Sequence, residues 1–251
     1  MPAMDEIIRS DGVRLAAHVA TPSTPGPGSG LVLCHGFPNG PRGAASVGTT
    51  YPDLADRIAH ETGWVVLTFN FRGTGTSEGD FSVEGWLADL RGAVRVLASR
   101  GDVRAVWTVG FGHGGTFAVC EAPDDELVRG VAAVATPVTL GDWAREPSRL
   151  LATSREMGMI RTPDFPPDVV SWGRELAALD AVVAARKLGD RPLLVLHGAD
   201  DSDVPLDEAR ALVEAGGERA ELCVVQGAGH RLRHDPRAIA TLLGWLDRQL
   251  L

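Results

Sequence analysis

The chain has 251 residues, of which 44% are hydrophobic and 23% are charged, an ordinary balance for a soluble globular protein. Its net charge of −9 argues against a nucleic-acid partner or an anionic membrane surface, because both need clustered cations. No apolar run is long enough to cross a bilayer, and the charged start of the chain lacks the apolar core of a signal peptide, so we expect a cytoplasmic protein.

The first half of the chain alternates short apolar runs with helical patterns. Residues 7–22 predict two short strands joined by a turn at Asp11-Gly12. The next strands are predicted at 31–37, 64–71, 105–111 and 130–136, and the helices between them at 50–61, 82–101 and 115–122. This alternation predicts an α/β fold with a mainly parallel sheet, helices on both faces and the opening hairpin at one edge.

The alternation breaks between about residues 138 and 190, where aromatic residues and prolines are scattered among helical patches. It resumes with strands at 192–198 and 221–227 and helices at 206–217 and 238–251. The interruption is too apolar for a solvated linker, so we interpret it as a cap inserted over the sheet. The prediction is one domain, residues 1–251, with a cap insertion at about 138–190.

Five of the loops that follow predicted strands carry residues able to do chemistry. They hold H-G-F-P at 35–38, N-x-R-G-x-G-x-S at 70–77, a glycine run at 110–115, H-G-x-x-D-x-x-V-P at 197–205 and G-x-G-H at 227–230. Each motif is weak alone, but together and in this order the chain resembles α/β-hydrolase-fold proteins of the bacterial esterase and acyl-peptidase-like type. The resemblance covers nearly the whole chain and implies hydrolysis of small esters, amides or acyl groups.

The resemblance implies a catalytic acid and base. The acid falls on Asp201, with Asp200 as the nearby competitor and Asp203 less favoured, and the base falls on His230. In such a pair the carboxylate fixes the histidine tautomer and stabilises the imidazolium, while the other ring nitrogen takes a proton from the nucleophile.

The nucleophile position itself holds glycine. Residues Gly110 to Gly114 keep the frame G-x-S-x-G, but Gly112 stands where the serine belongs. The oxyanion hole needs only backbone N–H groups, implied here at Phe37 and His113, so it survives the change. Glycine relieves the backbone strain of this turn and removes covalent catalysis in one step. An engineered inactivation would give the same sequence.

Four other side chains are candidates to replace the serine. His113 follows the glycine in the turn, but its side chain is expected to point away from the serine position. Cys34 is interpreted as a core thiol, and Ser77 and Ser202 as loop serines. A water held by His230 and the oxyanion donors is the better candidate, because serine hydrolases that lack a triad member retain about 10³–10⁴-fold acceleration.

No metal site and no cofactor are predicted. Cys34, Cys120 and Cys223 are far apart, odd in number and flanked by apolar residues, which indicates reduced, buried thiols. Arg72, in the second loop, is interpreted as a support for that loop rather than as a substrate ligand.

The cap supplies the predicted substrate-binding residues, Trp143, Met157, Met159 and Phe165. Most apolar cap residues are expected to pack onto the sheet, but some must face the ligand, and pockets are lined mainly by such side chains. No cluster of charges marks a charged recognition site, so we predict a small, neutral, apolar acyl-type ligand. The oligomeric state stays open.

Three functions stay open on the sequence alone. The first is a hydrolase that is attenuated or uses His-activated water. The second is a catalytically inactive ligand-binding or regulatory pseudo-hydrolase, for which a missing nucleophile beside an intact pocket is suitable. The third is non-hydrolytic acid/base chemistry, such as that of a lyase or isomerase, which the fold permits but no residue selects.

Overall fold

The computed structural model describes residues 4–24, 28–38 and 43–249. Their strands form one eight-stranded sheet and are β1 (Glu6–Ser10), β2 (Val13–Ala20), β3 (Ser29–Cys34), β4 (Val65–Phe69), β5 (Ala105–Phe111), β6 (Val128–Val134), β7 (Leu193–Gly198) and β8 (Ala220–Val225). The order across the sheet is β1-β2-β4-β3-β5-β6-β7-β8. β1 and β2 pair antiparallel with each other and β2 pairs antiparallel with β4, whereas the remaining pairs are parallel. The predicted α/β fold with a hairpin at one edge is confirmed.

Helices cover both faces of this sheet. Those described are α1 (Tyr51–Thr62), α2 (Val83–Ala98), α3 (His113–Glu121), α4 (Asp142–Arg145), α5 (Pro147–Glu156), α6 (Val169–Ala178), α7 (Ala181–Ala185), α8 (Leu206–Gly216) and α9 (Pro236–Asp247). Buried residues of α1 and α9 belong to one hydrophobic cluster. Those of α2, α3 and α8 belong to a second cluster on the other face.

The central strands are apolar along their whole length because both of their faces are covered. In β3 the side chains of Val32 and Cys34 join one cluster, and those of Leu31 and Leu33 join the other. This alternation follows from the two-residue period of a strand. It explains why the sequence shows an unbroken apolar run here rather than alternating polarity.

The cap segment contains four helices where the sequence showed only helical patches. Helices α4, α5 and α6 contact one another, and α6 also contacts α2. Helix α7 contacts α3 and α8 and so rejoins the helical layer over the sheet. Leu150 and Trp172 of the cap are buried in the same cluster as the strand residue Val32. The single-domain assignment stays a prediction.

A buried ion pair fixes the loop that follows β4. The Nη2 of Arg72 lies 2.7 Å from Oδ1 of Asp89, whose side chain is fully buried. The backbone N–H of Arg72 donates to the same carboxylate at 2.8 Å, and Trp86 Nε1 donates to the carbonyl of Arg72 at 3.1 Å. Arg72 therefore supports this loop, which agrees with the role predicted for it from the sequence.

Candidate active site

An acid–base pair lies on the loops that follow two neighbouring strands. Asp201 follows β7 and His230 follows β8, and the ends of these strands pair at Gly198 and Val225. Asp201 Oδ2 lies 3.0 Å from His230 Nδ1. The carboxylate is fully buried, whereas 23% of the histidine side chain is exposed. This arrangement leaves His230 Nε2 available to a reacting group.

Backbone amides hold the carboxylate of this pair in place. Oδ1 of Asp201 accepts from the N–H groups of Asp203 at 2.9 Å and Val204 at 3.0 Å. One oxygen is thus satisfied by the backbone, and the other remains for His230. A carboxylate held in this way can fix the orientation of the histidine ring.

The two competing aspartates do not take this position. Asp200 and Asp203 are exposed, while Asp201 is the carboxylate that contacts His230. The backbone N–H of Asp200 donates to the carbonyl of Ala228 at 2.9 Å, which joins the acid loop to the histidine loop. The structure therefore places Asp201 beside the histidine and leaves its neighbours in solvent.

A second histidine supports the acid loop, and the sequence reasoning gave it no role. His197 is fully buried at the end of β7, and its Nε2 donates to the carbonyl of Val204 at 3.0 Å. The same nitrogen lies 3.7 Å from Asp201 Oδ2. His197 thus fixes the turn whose amides hold the acid. Its position directly before Gly198, at the end of a buried strand, was the available signal.

The turn at Gly112 has the geometry of a nucleophile position without its side chain. Gly112 lies between β5 and α3 with φ 54° and ψ −132°, in the left-handed half of backbone space that favours glycine. A Cβ atom added there would lie 3.8 Å from His230 Nε2 and 4.0 Å from Gly36 Cα, and no other described residue apart from the two chain neighbours has an atom within 4 Å. A side chain at 112 therefore has room, and it would start beside the free nitrogen of the base.

The remaining glycines of this motif let two loops approach each other closely. A Cβ atom on Gly114 would lie only 2.7 Å from the carbonyl oxygen of Cys34, so any larger residue would push the loop after β3 away. That loop lies against the turn, because a Cβ atom on Gly36 would be 3.5 Å from the backbone nitrogen of His113. The sequence pattern thus has a packing reason independent of catalysis.

The two expected oxyanion donors are the backbone N–H groups of Phe37 and His113. Within the described part of the chain, neither of them donates to another protein group. The N–H of His113 is the first of helix α3, where the helix dipole favours negative charge. Their convergence on one oxyanion stays a prediction.

His35 orients the peptide that carries one of these donors, a role that the sequence reasoning did not assign. Its Nδ1 donates to the carbonyl of Gly36 at 2.8 Å. Because that carbonyl and the N–H of Phe37 belong to one planar peptide, fixing the first also fixes the second. His35 Nε2 accepts from the N–H of Phe71 at 3.2 Å, so the ring is neutral with its proton on Nδ1. Burial lowers the pKa of His35 to about 4.

An aromatic cluster of Phe37, His113 and Trp143 borders the turn. The ring of His113 stacks on Trp143 with 5.2 Å between ring centroids, and Phe37 meets both rings edge to face at 4.8 Å. Burial, followed by the charge at His230, lowers the pKa of His113 to about 3. His113 is therefore a neutral ring held in a stack, which does not suit a nucleophile.

The other three predicted cap residues belong to the same hydrophobic cluster as Trp143. Met157 and Phe165 are half-buried and Met159 is buried, and all three pack in the cluster that includes α2. The carbonyl of Met157 accepts from Ala44 at 2.8 Å and that of Met159 from Phe81 at 3.0 Å. Of the four cap residues, Trp143 is the one in ring contact with the turn, and ligand contact by the rest stays a prediction.

Two of the alternative nucleophiles are occupied in the fold. Cys34 is fully buried in β3, and burial raises the pKa of its thiol far above the ordinary range. Ser77 Oγ accepts from the N–H of Ala16 at 2.9 Å and donates to the carbonyl of Asn70 at 2.6 Å. Ser202 is exposed in the loop after β7. These positions do not resemble a nucleophile beside a base.

Among the described residues there is no group of three or more His, Cys, Asp or Glu side chains that could hold a metal ion. No helix in the same part of the chain is both long enough and apolar enough to span a membrane.

Comparison with known families agrees with the fold and the motif order. The model described as the alpha/beta hydrolase family matches residues 31–242. The chain belongs to the α/β-hydrolase family. The resemblance inferred from the motifs is thereby confirmed at the level of family and fold.

Individual relatives of this α/β-hydrolase include esterases. The uncharacterized protein Rv2307c of Mycobacterium tuberculosis (strain ATCC 25618 / H37Rv) is 29% identical over 243 residues, which are 95% of this chain and 75% of that protein. Esterase YjfP of Escherichia coli (strain K12) is 33% identical over 128 residues, 43% of this chain and 51% of that protein. The structure of Est1E from Butyrivibrio proteoclasticus with ferulic acid superposes with a TM-score of 0.73 at 18% identity, over 97% of this chain and 96% of that one. At this identity the likeness shows the fold alone.

Proposed function

We propose that this α/β-hydrolase binds small, neutral ester, amide or related acyl compounds and hydrolyses them slowly with a water activated by His230. The observation that supports this proposal most strongly is the position that a side chain at residue 112 would take. Its Cβ would lie 3.8 Å from His230 Nε2, beside a base whose other nitrogen is held 3.0 Å from a buried carboxylate. A water molecule can occupy the place that a serine hydroxyl would take.

The reaction uses groups that the fold already holds. The water oxygen attacks the substrate carbonyl carbon while His230 Nε2 takes a proton from it. Asp201 stabilises the imidazolium that forms. The N–H groups of Phe37 and His113 stabilise the negative charge on the former carbonyl oxygen. The C–O or C–N bond then breaks, and His230 returns its proton to the leaving group. An acid and an alcohol or amine leave, and no acyl-enzyme forms.

The chemistry of the aromatic cluster supports the ligand class. Phe37, His113 and Trp143 present neutral rings beside the turn, and His113 stays uncharged because its pKa is lowered to about 3. Uncharged rings favour apolar or aromatic acyl groups over charged ones. The ferulic acid bound by Est1E makes a feruloyl ester a suitable probe beside simple aliphatic esters.

The proposal is tested by comparing the protein with its His230→Ala variant on 4-nitrophenyl acetate, 4-nitrophenyl butyrate and methyl ferulate. We expect the protein to exceed this variant by at least about tenfold, since general base catalysis contributes about 10²–10⁴-fold. His60→Ala is the matched control, because His60 is exposed near the end of α1. Equal rates for the protein and His230→Ala would refute activated water.

The backbone at Gly112 favours a second candidate, a binding protein without turnover. With φ 54°, a residue other than glycine would carry strain of about 1–3 kcal/mol here, so glycine suits a chain that needs the pocket more than the nucleophile. This candidate predicts saturable binding of a non-hydrolysed acyl amide together with no rate above that of His230→Ala. The rate of hydrolysis relative to His230→Ala therefore separates the candidates, and the binding measurement shows that the pocket is intact.

A further inference from the structure

A cavity lies at the amino ends of the strands, on the side of the sheet opposite to the candidate active site. Its volume is about 430 Å³, and it opens among the amino ends of β5 to β8. Asp201 and His230 follow the carboxyl ends of β7 and β8, and a six-residue strand spans about 20 Å. The two sites are thus separated by the length of the sheet.

Arginines dominate the wall of this cavity, and Arg104, Arg129, Arg219 and Arg248 all line it. None of the lining residues in the described part of the chain is acidic. This concentration runs against the composition of the whole chain, which has 33 acidic and 24 basic residues. The fold therefore gathers four cations, distant in sequence, into one concave site.

The four guanidinium groups differ in their hydrogen-bond and ion-pair partners. Arg248 Nη2 lies 2.7 Å from a carboxylate oxygen of Glu221, and Arg219 Nε donates to the carbonyl of Asp190 at 3.3 Å. The side chains of Arg104 and Arg129 make no hydrogen bond or ion pair with a described residue. Both are exposed, so their donors face solvent at the cavity mouth. Clustered guanidinium groups repel one another, and a bound anion removes that cost.

We propose that this cavity binds a small anion that carries two or more phosphate groups. The planar guanidinium fork matches phosphate oxygens with two parallel hydrogen bonds. A single inorganic phosphate is much smaller than 430 Å³, whereas ligand pockets have volumes of about 300–1,000 Å³. The partly exposed Pro192 gives the same wall an apolar surface against which the remainder of such a molecule can pack.

The test titrates the full chain with pyrophosphate, tripolyphosphate and citrate by calorimetry at constant ionic strength. We expect one saturable site, with tripolyphosphate binding more tightly than citrate. The double variant Arg104→Ala/Arg129→Ala should bind tripolyphosphate at least about tenfold more weakly, because each lost bond involves two charged groups. Arg57→Ala is the matched control, since Arg57 is an exposed arginine of α1 that pairs with Glu61.

A local reporter shows whether the ion occupies this cavity. Trp107 lines it with a side chain that is 3% exposed, and its indole N–H resonance, identified with Trp107→Phe, should shift on titration with tripolyphosphate. Equal affinity in the double variant, stronger binding of citrate, or a titration that leaves this resonance in place would overturn the proposal. The readouts do not depend on hydrolysis, so the outcome is independent of the function of the candidate active site.

Discussion

The two sides of the candidate active site use different chemical groups, side chains on one side and backbone on the other. The acid–base side uses side chains, with the carboxylate of Asp201 held 3.0 Å from His230. The turn side uses backbone, with the φ of 54° at Gly112 and the N–H groups of Phe37 and His113. A substitution that deletes one side chain therefore removes the nucleophile and leaves the turn, the donors and the base where they were.

The two sides also differ in charge. Asp201 is fixed by amides, and His230 is partly exposed, which suits a group that gains and loses a proton. On the turn side, His35 and His113 are both held neutral, since burial lowers their pKa values to about 4 and about 3. The acid–base side can transfer protons, whereas the turn side acts through fixed backbone N–H groups and neutral rings.

The largest effect should come from restoring the nucleophile. Gly112→Ser should raise kcat/KM for 4-nitrophenyl acetate by about 10³-fold or more, because loss of the serine alone costs about 10⁶-fold in kcat in a well-studied serine protease. Gly112→Ala is the matched control, since it carries the same backbone strain and no hydroxyl. If Gly112→Ser were no faster than Gly112→Ala, the two sides would not form one site.

The catalytic acid should contribute strongly to kcat in the Gly112→Ser variant. Asp201→Asn added to Gly112→Ser should lower kcat by at least about a hundredfold, because an amide supports the wrong histidine tautomer. Asp200→Asn serves as the control, because Asp200 is exposed and His230 contacts its neighbour. A large loss with Asp200→Asn and none with Asp201→Asn would reverse the assignment of the acid.

The neutral histidine on the turn side should make the free energy of unfolding depend on pH. His35 has an ordinary pKa of 6.5 that is lowered to about 4 in the folded protein, so the unfolded chain binds more protons between these values. Stability is fully present above about pH 6.5 and is lost as pH falls toward 4. One pKa unit is about 1.4 kcal/mol, so His35 contributes up to about 3 kcal/mol of this loss.

Urea unfolding at several pH values measures this effect. His35→Gln should make the fall in unfolding free energy between pH 6.5 and 4 smaller and leave the part that His113 contributes, whereas His60→Gln, at an exposed histidine, should leave the fall unchanged. Identical pH slopes for His35→Gln and the parent would contradict a neutral, buried His35 beneath the loop that carries Phe37.

The smallest expected effect is on the preference for larger over smaller esters, measured by KM. Trp143→Ala removes the ring stacked on His113 and should raise KM for 4-nitrophenyl butyrate by about fivefold, since an aromatic contact contributes about 1 kcal/mol. The effect should be weaker for the acetate ester, which reaches less of the aromatic cluster. Equal changes for both esters, or a change in kcat alone, would remove Trp143 from the ligand site.

Much of this architecture was predictable because it rests on local patterns. Unbroken apolar runs predicted the central strands, and the order of the loop motifs predicted the family. Motif position alone also singled out Asp201 over its two neighbours, although their side chains are chemically identical. The predicted third helix started at residue 115, whereas α3 begins at His113, because two glycines in its first turn weaken the helical signal.

The rest depends on contacts that sequence patterns do not contain. Helices α4 and α7 have four and five residues, too few to establish a helical period. His35 and His197 gain their roles from hydrogen bonds to carbonyl groups that only the folded loops bring near. The arginine cavity joins residues from five separate stretches of sequence, at 104–107, 129, 192, 219 and 248–249, so no local window reveals it.

The most direct test of the central claim is intact-mass analysis after treatment with a fluorophosphonate probe. The claim is that the site lacks only the side chain at position 112. Gly112→Ser should gain one adduct, located at position 112, whereas Gly112→Ala and the parent should gain none. The adduct should form much more slowly when His230→Ala is added. A Gly112→Ser variant that folds like the parent and takes no adduct would contradict the claim.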